Sequence, residues 1–307
     1  MEIGFGAPVS GAWATPQNLA TFAAGAERDG YRSLWSFQRL LVPVGSGMDP
    51  VYQSVLDPMA ALSYAAAFTS VIRLGVAIVN APFVSPGYLA KQAASVDVLS
   101  GGRHDLGIGI GWMPEEFALT GADMARRGAR LAEYVQVLRT LWAGRDSSFD
   151  GSFYQVPAGT QAPPPVQPGG PAVLLGGLAR PALERVGRIG DGWITSSRTD
   201  LSKIDQLIAI VKESAAAAGR DAEALRIICR GVVRAGAPVA GPDGQRLLLS
   251  GSYEQIRADT ERLGTLGVTE VFYDLNWDPE IGSPDVDPAA ATERAGQIMQ
   301  ALAPGPA

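Results

Sequence analysis

The sequence is short of several residue types that common site chemistries require. Its 307 residues include one cysteine, Cys229, one histidine, His104, and three lysines, Lys91, Lys203 and Lys212. A single cysteine cannot form an intramolecular disulfide, so the composition indicates a cytoplasmic protein rather than a secreted scaffold. One histidine and one cysteine cannot build a His/Cys metal cluster. We therefore predict no metal site.

Positive charge and long apolar runs are also scarce. There are 25 basic residues against 31 acidic ones, a net charge of −6, which gives no electrostatic footprint for nucleic acid. The chain begins MEIGFGAPVSGAW, without a basic run ahead of an apolar stretch, and its most apolar long window, at 60–79, is interrupted by polar residues. We predict neither a signal peptide nor a membrane span.

The lone histidine and cysteine are both predicted to be structural. His104 begins the strand-like run HDLGIGIG, where it is badly placed to serve a Ser/His/Asp triad. Cys229 lies in the apolar run RIICRGVV and is expected to be a small buried residue.

Short apolar runs alternate with segments of helical period, as is typical of a parallel sheet joined by crossover helices. Eight strands are predicted, at 2–6, 33–37, 73–79, 104–110, 172–175, 193–196, 226–233 and 270–275. No G-x-G-x-x-G follows the first strand and no phosphate-loop motif occurs, which disfavours a doubly wound sheet and an NTPase. The prediction is an α/β protein, a single (β/α)₈ TIM-barrel domain spanning 1–307, with insertions.

Four segments are longer than a turn requires. The Pro- and Gly-rich stretch 149–171 lies on the stability face of a barrel and is expected to be a packing strap. The loops at 38–57, 234–251 and 276–288 follow strands two, seven and eight, so they are expected to enclose a pocket at the carboxyl end of the barrel.

Three segments combine signals for a binding site. The first is LGIGIGWMPEEF, in which Gly107, Gly109 and Gly111 alternate along strand four and its exit. This alternation indicates that a bulky group approaches the backbone there. The acids that follow, Glu115 and Glu116, suit either helix capping or proton donation. In AVLLGGLARP, Gly176 and Gly177 precede a helix, a turn whose amides bind phosphate without lysine. The run RLGVAIVNAPFVSP, around Asn80, is expected to form the floor of a pocket.

Together these segments resemble the bacterial luciferase-like monooxygenase family, and within it the F420-dependent oxidoreductases of actinobacteria. The resemblance spans nearly the whole chain and rests on AERDGYRSLW, on residues 73–117, on FDGSFYQV with PPPVQPGGPAVLLGG, and on GRIGDGW. It implies a luciferase-like barrel that binds a flavin or deazaflavin, with the phosphate on the turn at Gly176 and Gly177. It also implies a non-prolyl cis peptide at Ala77–Ile78 or one residue either side, and it leaves a homodimer open.

The resemblance further implies the residues that contact the cofactor ring, and one departure from the family pattern. Ring contacts are expected from Ala77, Ile78, Asn80, Gly109 and Trp112, and Gly111 is expected to contribute to cofactor binding. Many relatives carry Asp-His after strand two, whereas here the pair is Gln38 and Arg39. A guanidinium stays charged and cannot donate and recover a proton near neutral pH, but it stabilises an anion. The proton source is left open among Glu115, Glu116, Tyr273 and water.

The leading hypothesis is hydride transfer between coenzyme F420 and a small organic substrate, with Gln38, Arg39 and Glu115 as catalytic residues. One alternative is an FMN-dependent two-component monooxygenase, and another is a protein that binds flavin or deazaflavin without turnover. A barrel lyase or isomerase is disfavoured because all three lysines fall in predicted helices or their starts.

Overall fold

The computed structural model describes residues 1–305, and the predicted domain boundary at 307 lies outside the described residues. Eight parallel strands close into a barrel in the order β1-β12-β9-β8-β7-β4-β3-β2. These strands are β1 (Glu2–Gly6), β2 (Ser33–Ser36), β3 (Arg73–Asn80), β4 (His104–Gly109), β7 (Ala172–Gly176), β8 (Gly192–Ile194), β9 (Arg226–Val232) and β12 (Glu270–Asp274). The predicted (β/α)₈ barrel is confirmed, and each predicted strand overlaps an observed one.

Helices connect successive strands and cover the outside of the barrel. They are α1 (Pro16–Arg28), α2 (Pro58–Ala66), α3 (Pro86–Ser100), α4 (Pro114–Thr120), α5 (Arg127–Trp142), α6 (Arg180–Ile189), α7 (Ile204–Ala217), α8 (Tyr253–Thr265) and α9 (Pro288–Ala301). Four begin with a Ser, Thr or Asp cap followed by proline, a combination that satisfies free amides and fixes φ at the first helical residue. The caps are Thr15, Asp57, Ser85 and Asp287.

The predicted strap contains a small hairpin that the sequence did not indicate. Strands β5 (Ser147–Asp150) and β6 (Gln155–Gly159) pair antiparallel. Beyond them, the buried carboxylate of Asp97 on α3 accepts from the backbone amides of Val166 and Gln167, at 2.7 and 3.0 Å. These bonds fasten the segment to the barrel, in agreement with a packing role.

The loops at the carboxyl end carry little regular structure. A 3₁₀ turn at Pro50–Tyr52 lies in the loop after β2, and β10 (Arg234–Ala235) pairs with β11 (Ser250–Gly251) in the loop after β9. A second 3₁₀ turn, Leu275–Trp277, follows β12. The loops after β2, β9 and β12 therefore all begin at the same end of the barrel.

Alternate residues of each strand point into the barrel and form layers. On β9 and β12 these are Arg226, Ile228 and Arg230, and Glu270, Phe272 and Asp274. Arg226 bonds Glu270 at the amino end, Ile228 and Phe272 share an apolar cluster, and Arg230 bonds Asp274 at the carboxyl end. The interior is thus charged at both ends and apolar between them.

A bulge distorts β3 near its carboxyl end. Val76 pairs with Leu106 and Val79 with Ile108, so Ala77 and Ile78 lie opposite the single Gly107. The Ala77–Ile78 peptide is cis, at the bond that the resemblance indicates. A Cβ at Gly107 would overlap the carbonyl oxygen of Val76, and one at Gly109 would overlap Ile78 Cδ1. The bulky group that approaches these glycines is therefore the bulge itself.

Replacing Gly107 with Ala is expected to lower the free energy of unfolding by about 1–3 kcal/mol, because the new methyl meets backbone that cannot rotate away. The matched control is Gly296→Ala in α9, where a Cβ has nothing within 4 Å. The control is expected to gain up to about 1 kcal/mol from helix propensity. Urea unfolding followed by tryptophan fluorescence measures both, and equal effects would contradict the close approach at Gly107.

Candidate active site

The carboxyl end of the barrel has an apolar floor with open space above it. Trp35, Ala77, Leu174, Ile194, Ile228 and Phe272 form a buried cluster, and half-buried Ile78 packs against it. A Cβ on Gly176 would lie 3.5 Å from Ile78 Cγ2 and 3.9 Å from Ile194 Cγ2, with no overlap. The structure therefore brings Ala77, Ile78 and Gly176 together at the carboxyl end, where Ile78 and Gly176 are partly exposed and position 176 has room for a methyl group. We call the solvent-exposed region above Ile78 and Gly176 the open space.

Gln38 joins the end of β2 to the end of β3. Its Oε1 accepts from the backbone amide of Asn80 at 2.9 Å and lies 3.4 Å from Asn80 Nδ2. Both residues are half-buried. Through this contact, Gln38 links the ends of β2 and β3, which border the open space.

Arg39 forms a buried ion pair with Glu116. Arg39 Nη1 lies 3.1 Å from Glu116 Oε1, and the side chains are 6% and 1% exposed. The same carboxylate oxygen accepts from the backbone amide of Leu40 at 2.9 Å. Within residues 1–305, Arg39 Nε and Glu116 Oε2 are buried without a hydrogen-bond partner. The pair fastens the loop after β2 to α4.

Glu115, the acid singled out from the sequence, is not the one that reaches this site. It is exposed in the first turn of α4, whereas Glu116 is buried. Successive helical residues are rotated by about 100°, so adjacent acids face different directions. Glu116 therefore takes the position predicted for Glu115, and Glu115 remains at the helix start, where it suits the dipole.

Aromatic rings surround the two guanidinium groups at the barrel mouth. Arg39 Cζ lies 4.4 Å from the centroid of Tyr52 and 5.2 Å from that of Trp112. The Trp112 ring also lies 5.4 Å from Arg198 Cζ and is half exposed. Trp112 thus lies at the mouth between two cationic groups.

Arg230 is a site residue that the sequence analysis missed. Its Nε donates to Asp274 Oδ2 at 2.7 Å, its Nη1 donates to the carbonyl of Ala77 at 3.1 Å, and its Cζ lies 4.0 Å from the centroid of Trp277. The other oxygen of Asp274 accepts from the amide of Asn276 at 3.0 Å. Arg230 therefore ties the bulge of β3 to the end of β12.

The turn after β7 leads into a helix without a side-chain cap. Gly177 has φ +143°, and a Cβ there would lie 2.6 Å from that of Ala182. The first residue outside α6, Ala179, makes no side-chain hydrogen bond, and the first turn has no acid. The remaining glycine prediction, Gly111, has φ +69°, which permits a close turn against Phe117.

A cavity of about 600 Å³ adjoins the mouth on the side of β8 and β9. It is lined by residues 196–203, by residues of the loop after β9, and by Arg230 and Trp277. A larger cavity of about 1020 Å³ lies at the opposite end, against Ile3, Leu225 and Val268. Tyr273, named among the possible proton sources, lines the larger cavity, and its hydroxyl lies 2.9 Å from Thr260 Oγ1, so it is not at the mouth. The other predicted site residues do not line that cavity, and active sites in this fold lie at the carboxyl end, so we place the site at the mouth.

The lone histidine and cysteine are structural, as predicted. His104 is buried with Nδ1 2.9 Å from the carbonyl of Leu74, and burial lowers its pKa. Cys229 is buried, and burial raises the pKa of its thiol to about 12. Within residues 1–305 there is no cluster of three His, Cys, Asp or Glu suited to a metal ion. None of the helices in that range combines the length and apolar character that crossing a bilayer requires.

Comparison with known proteins gives a match to one protein family. Residues 3–241 match the family described as luciferase-like monooxygenase. An uncharacterised protein of Mycobacterium tuberculosis H37Rv is 34% identical over 207 residues, 64% of this chain and 73% of that protein.

Two relatives with named activities use different cofactors. The FMNH(2)-dependent dimethylsulfone monooxygenase of Pseudomonas putida is 29% identical over 63% of this chain and 52% of its own length. The F420-dependent glucose-6-phosphate dehydrogenase of Amycolatopsis mediterranei is 29% identical over 68% of this chain and 62% of its own length. Each alignment thus covers less than two thirds of the relative.

Solved structures share the fold at lower identity. The monooxygenase RslO1 from Streptomyces bottropensis superposes with a TM-score of 0.76 at 20% identity, covering 98% of both chains. The coenzyme F420-dependent tetrahydromethanopterin reductase from Methanopyrus kandleri gives a TM-score of 0.75 at 19% identity, covering 97% of this chain and 98% of that one.

Proposed function

This chain belongs to the luciferase-like monooxygenase family, and we propose on that basis that it is an F420-dependent oxidoreductase acting on a small organic substrate. The observation that supports the proposal is the apolar floor at the carboxyl end of the barrel, where Ile78 and Gly176 are partly exposed and Gly176 carries no side chain. A flat ring system fits the open space above this floor, because the floor is apolar and its edges carry the polar side chains of Gln38 and Arg39.

The residues present suit a flavin or deazaflavin. Ala77, Ile78 and Gly176 would contact the ring, and the amides of the turn at Gly177 and the start of α6 would hold the phosphate. In the first turn of α6, Pro181 has no N–H and the amides of Ala182 and Leu183 donate to the carbonyl of Ala179. The amide of Arg180 would therefore act together with that of Gly177, and no side-chain cap competes with them. When bound, F420 or FMN supplies the redox chemistry, which the side chains of this chain cannot provide.

The protein's own contribution is positioning and charge. Arg39 places a buried positive charge at the edge of the open space, where an anion that develops during the reaction is stabilised. Glu116 and the rings of Tyr52 and Trp112 hold that guanidinium in place. The loop after β9 and Trp277, after β12, line the adjoining cavity, and they are expected to exclude water from a bound substrate.

FMN-dependent monooxygenation is the second candidate, because the relative that uses FMNH(2) and the relative that uses F420 are both 29% identical to this chain. We favour F420 on the resemblance of the sequence motifs to that branch. Titration of the protein with F420 and FMN, followed by fluorescence quenching, tests the choice. The proposal expects saturable binding of F420, and micromolar binding of FMN alone would reject it. Tight binding without oxidation of reduced F420 by any substrate of a panel would favour a binding protein instead.

Replacing Gly176 with Leu is expected to weaken cofactor binding by about tenfold or more, because the new side chain occupies the space above Ile78. Gly176→Ala is the graded control, since its methyl makes contacts of 3.5–3.9 Å without overlap. Urea unfolding shows whether both variants stay folded. Unchanged cofactor affinity in the folded Leu variant would place the ring elsewhere.

A further inference from the structure

The cavity beside the mouth has a wall rich in arginine. Its lining includes Arg198, Arg230, Arg234 and Arg246, together with Lys203. The chain carries a net charge of −6, so this concentration of positive charge runs against the overall balance. A cavity with such a wall attracts anions.

Most of these cations already have acidic partners. Arg230 pairs with Asp274 at 2.7 Å, Arg246 with Asp259 at 2.7 Å, and Lys203 with Asp200 at 3.2 Å. These three pairs neutralise the charge at the floor and rim of the cavity.

Arg198 and Arg234 differ from the rest of the wall. Neither forms an ion pair with any Asp or Glu among residues 1–305. Arg198 follows β8 and stacks on Trp112, whereas the backbone amide of Arg234, in β10, donates to Leu249 O at 3.0 Å. The carboxylate of Asp243, also on the wall, accepts from the amide of Gln245, and it offsets one of the two charges. Arg198 and Arg234 thus leave the wall of the cavity with a net positive charge.

We propose that this cavity binds the acidic group, a carboxylate or a phosphate, of the substrate of the proposed oxidoreductase. That the bound anion belongs to the substrate rests on the proposed function, whereas the binding of an anion rests on the cavity alone. A guanidinium presents parallel N–H donors that match two oxygens of either group. The hydroxyl of Ser197 on the same wall adds a neutral donor, whereas that of Ser202 already donates to Asp200 Oδ1 at 2.6 Å.

The cavity adjoins the region expected to hold the cofactor, since Arg198 on its wall stacks on Trp112, but it does not include the floor of that region. Ile78, Gly176 and Gly177 do not line it, and the turn proposed for the cofactor phosphate follows β7, whereas the cavity lies beyond β8 and β9. Arg230 and Trp277 belong both to its wall and to the barrel mouth. An acid group held there leaves the remainder of a small molecule at the open space above Ile78.

The test uses inorganic phosphate and acetate as probes, with the full chain and without cofactor. At constant ionic strength set by chloride, each probe is titrated while the melting temperature is recorded. Wild-type protein is expected to show a saturable rise with at least one probe. Arg198→Gln and Arg234→Gln are each expected to weaken that binding by about tenfold, since each removes a charged hydrogen-bond donor. The control for the double variant Arg198→Gln/Arg234→Gln is Arg145→Gln/Arg188→Gln, which removes the same two charges from exposed positions away from the cavity.

F420 and FMN titrations of the same variants distinguish the source of the anion. Unchanged cofactor affinity with weakened probe binding supports a substrate subsite. A tenfold loss of cofactor affinity in the Arg198→Gln/Arg234→Gln variant would assign the cavity to the cofactor and overturn the inference. Absence of saturable binding of both probes to the wild type would also overturn it. If the probes bind but neither F420 nor FMN does, the proposed function fails while the anion site stands.

Discussion

Replacing Asp105 with Asn is expected to lower the free energy of unfolding by about 3 kcal/mol, because it leaves two arginines at the amino end of the barrel without their shared carboxylate. Asp105 is fully buried, and its Oδ1 lies 2.5 Å from Arg73 Nη2 and 2.8 Å from Arg226 Nη1. An amide supplies one oxygen and turns its NH₂ toward a guanidinium. The arginines keep partial contact with solvent, which limits the loss to the lower end of the range for buried pairs.

Glu270, in the same cluster, is the matched control. Its Oε1 accepts from Ser33 Oγ at 2.5 Å and from Trp35 Nε1 at 2.7 Å, and its Oε2 lies 3.2 Å from Arg226 Nη2. A glutamine oxygen can accept both bonds to Oε1, and although its NH₂ then faces Arg226, that arginine keeps Asp105 as a partner at 2.8 Å. Glu270→Gln is therefore expected to change the free energy of unfolding by less than about 1.5 kcal/mol.

The two carboxyl groups have opposite dependences on pH. Burial pushes the pKa of Asp105 upward, but the bonds and charges of Arg73 and Arg226 outweigh it, so the pKa lies below its ordinary value. Its stabilisation is present above the unfolded pKa of about 4 and is lost as pH falls through the folded pKa. Burial raises the pKa of Glu270, so its contribution is greatest below the unfolded pKa and declines as pH rises through the folded value.

Urea unfolding between pH 3 and pH 8 measures both trends. The stability gap between the wild type and Asp105→Asn is expected to widen as pH rises from acid to neutral. The gap between the wild type and Glu270→Gln is expected to shift in favour of the variant over the same rise. Parallel trends in the two variants would contradict the assignment of the buried charge to Asp105.

The barrel itself could be predicted because its signals are local. Each strand is a short apolar run, and four helix starts carry a cap followed by proline. The alternation of these strand and helix signals along the chain was enough to predict the barrel. The hairpin at 147–159 escaped because its strands are short and lie in a polar, Pro-rich stretch. It is fastened by a distant residue, because Glu133 on α5 accepts from the backbone amides of Ser152 and Phe153 at 2.9 and 2.8 Å.

The site residues were harder to predict from the sequence than the barrel, because their roles depend on the direction in which each side chain points. Arg230 and Asp274 follow Ile228 and Phe272 at a spacing of two, so the alternation on β9 and β12 offered a signal for inward-facing charges. The choice between Glu115 and Glu116 had no such signal, since α4 has only seven residues. The pairing of Glu116 with Arg39, 77 positions away, exists only in the folded barrel.

Replacing Arg39 with Ala is expected to lower the turnover rate by about 100-fold or more, the loss typical of removing one preorganised donor from a site. It is also expected to cost about 3 kcal/mol of stability, because Glu116 is left buried and unpaired. Steady-state kinetics with reduced F420 and urea unfolding measure the two effects separately.

The double variant Arg39→Ala/Glu116→Gln separates charge at the site from structural support. Neutralising Glu116 removes the unpaired charge while the amide oxygen still accepts from Leu40, so most of the lost stability is expected to return. The rate is expected to stay low, since the positive charge is still missing. Recovery of the rate together with stability would show that Arg39 acts only by holding the loop after β2.

Arg39→His adds a readout that a purely structural role would not move. A guanidinium stays charged between pH 5 and pH 9, so the contribution of Arg39 to the rate is constant over that range. An imidazole loses its charge near neutral pH, and the variant is therefore expected to lose activity as pH rises through that region, with a slope absent from the wild type. The only native histidine, His104, is buried at the amino end of β4 and gives the wild type no such slope at the mouth. A pH profile of the variant parallel to that of the wild type would mean that the charge at position 39 does not act on the reaction.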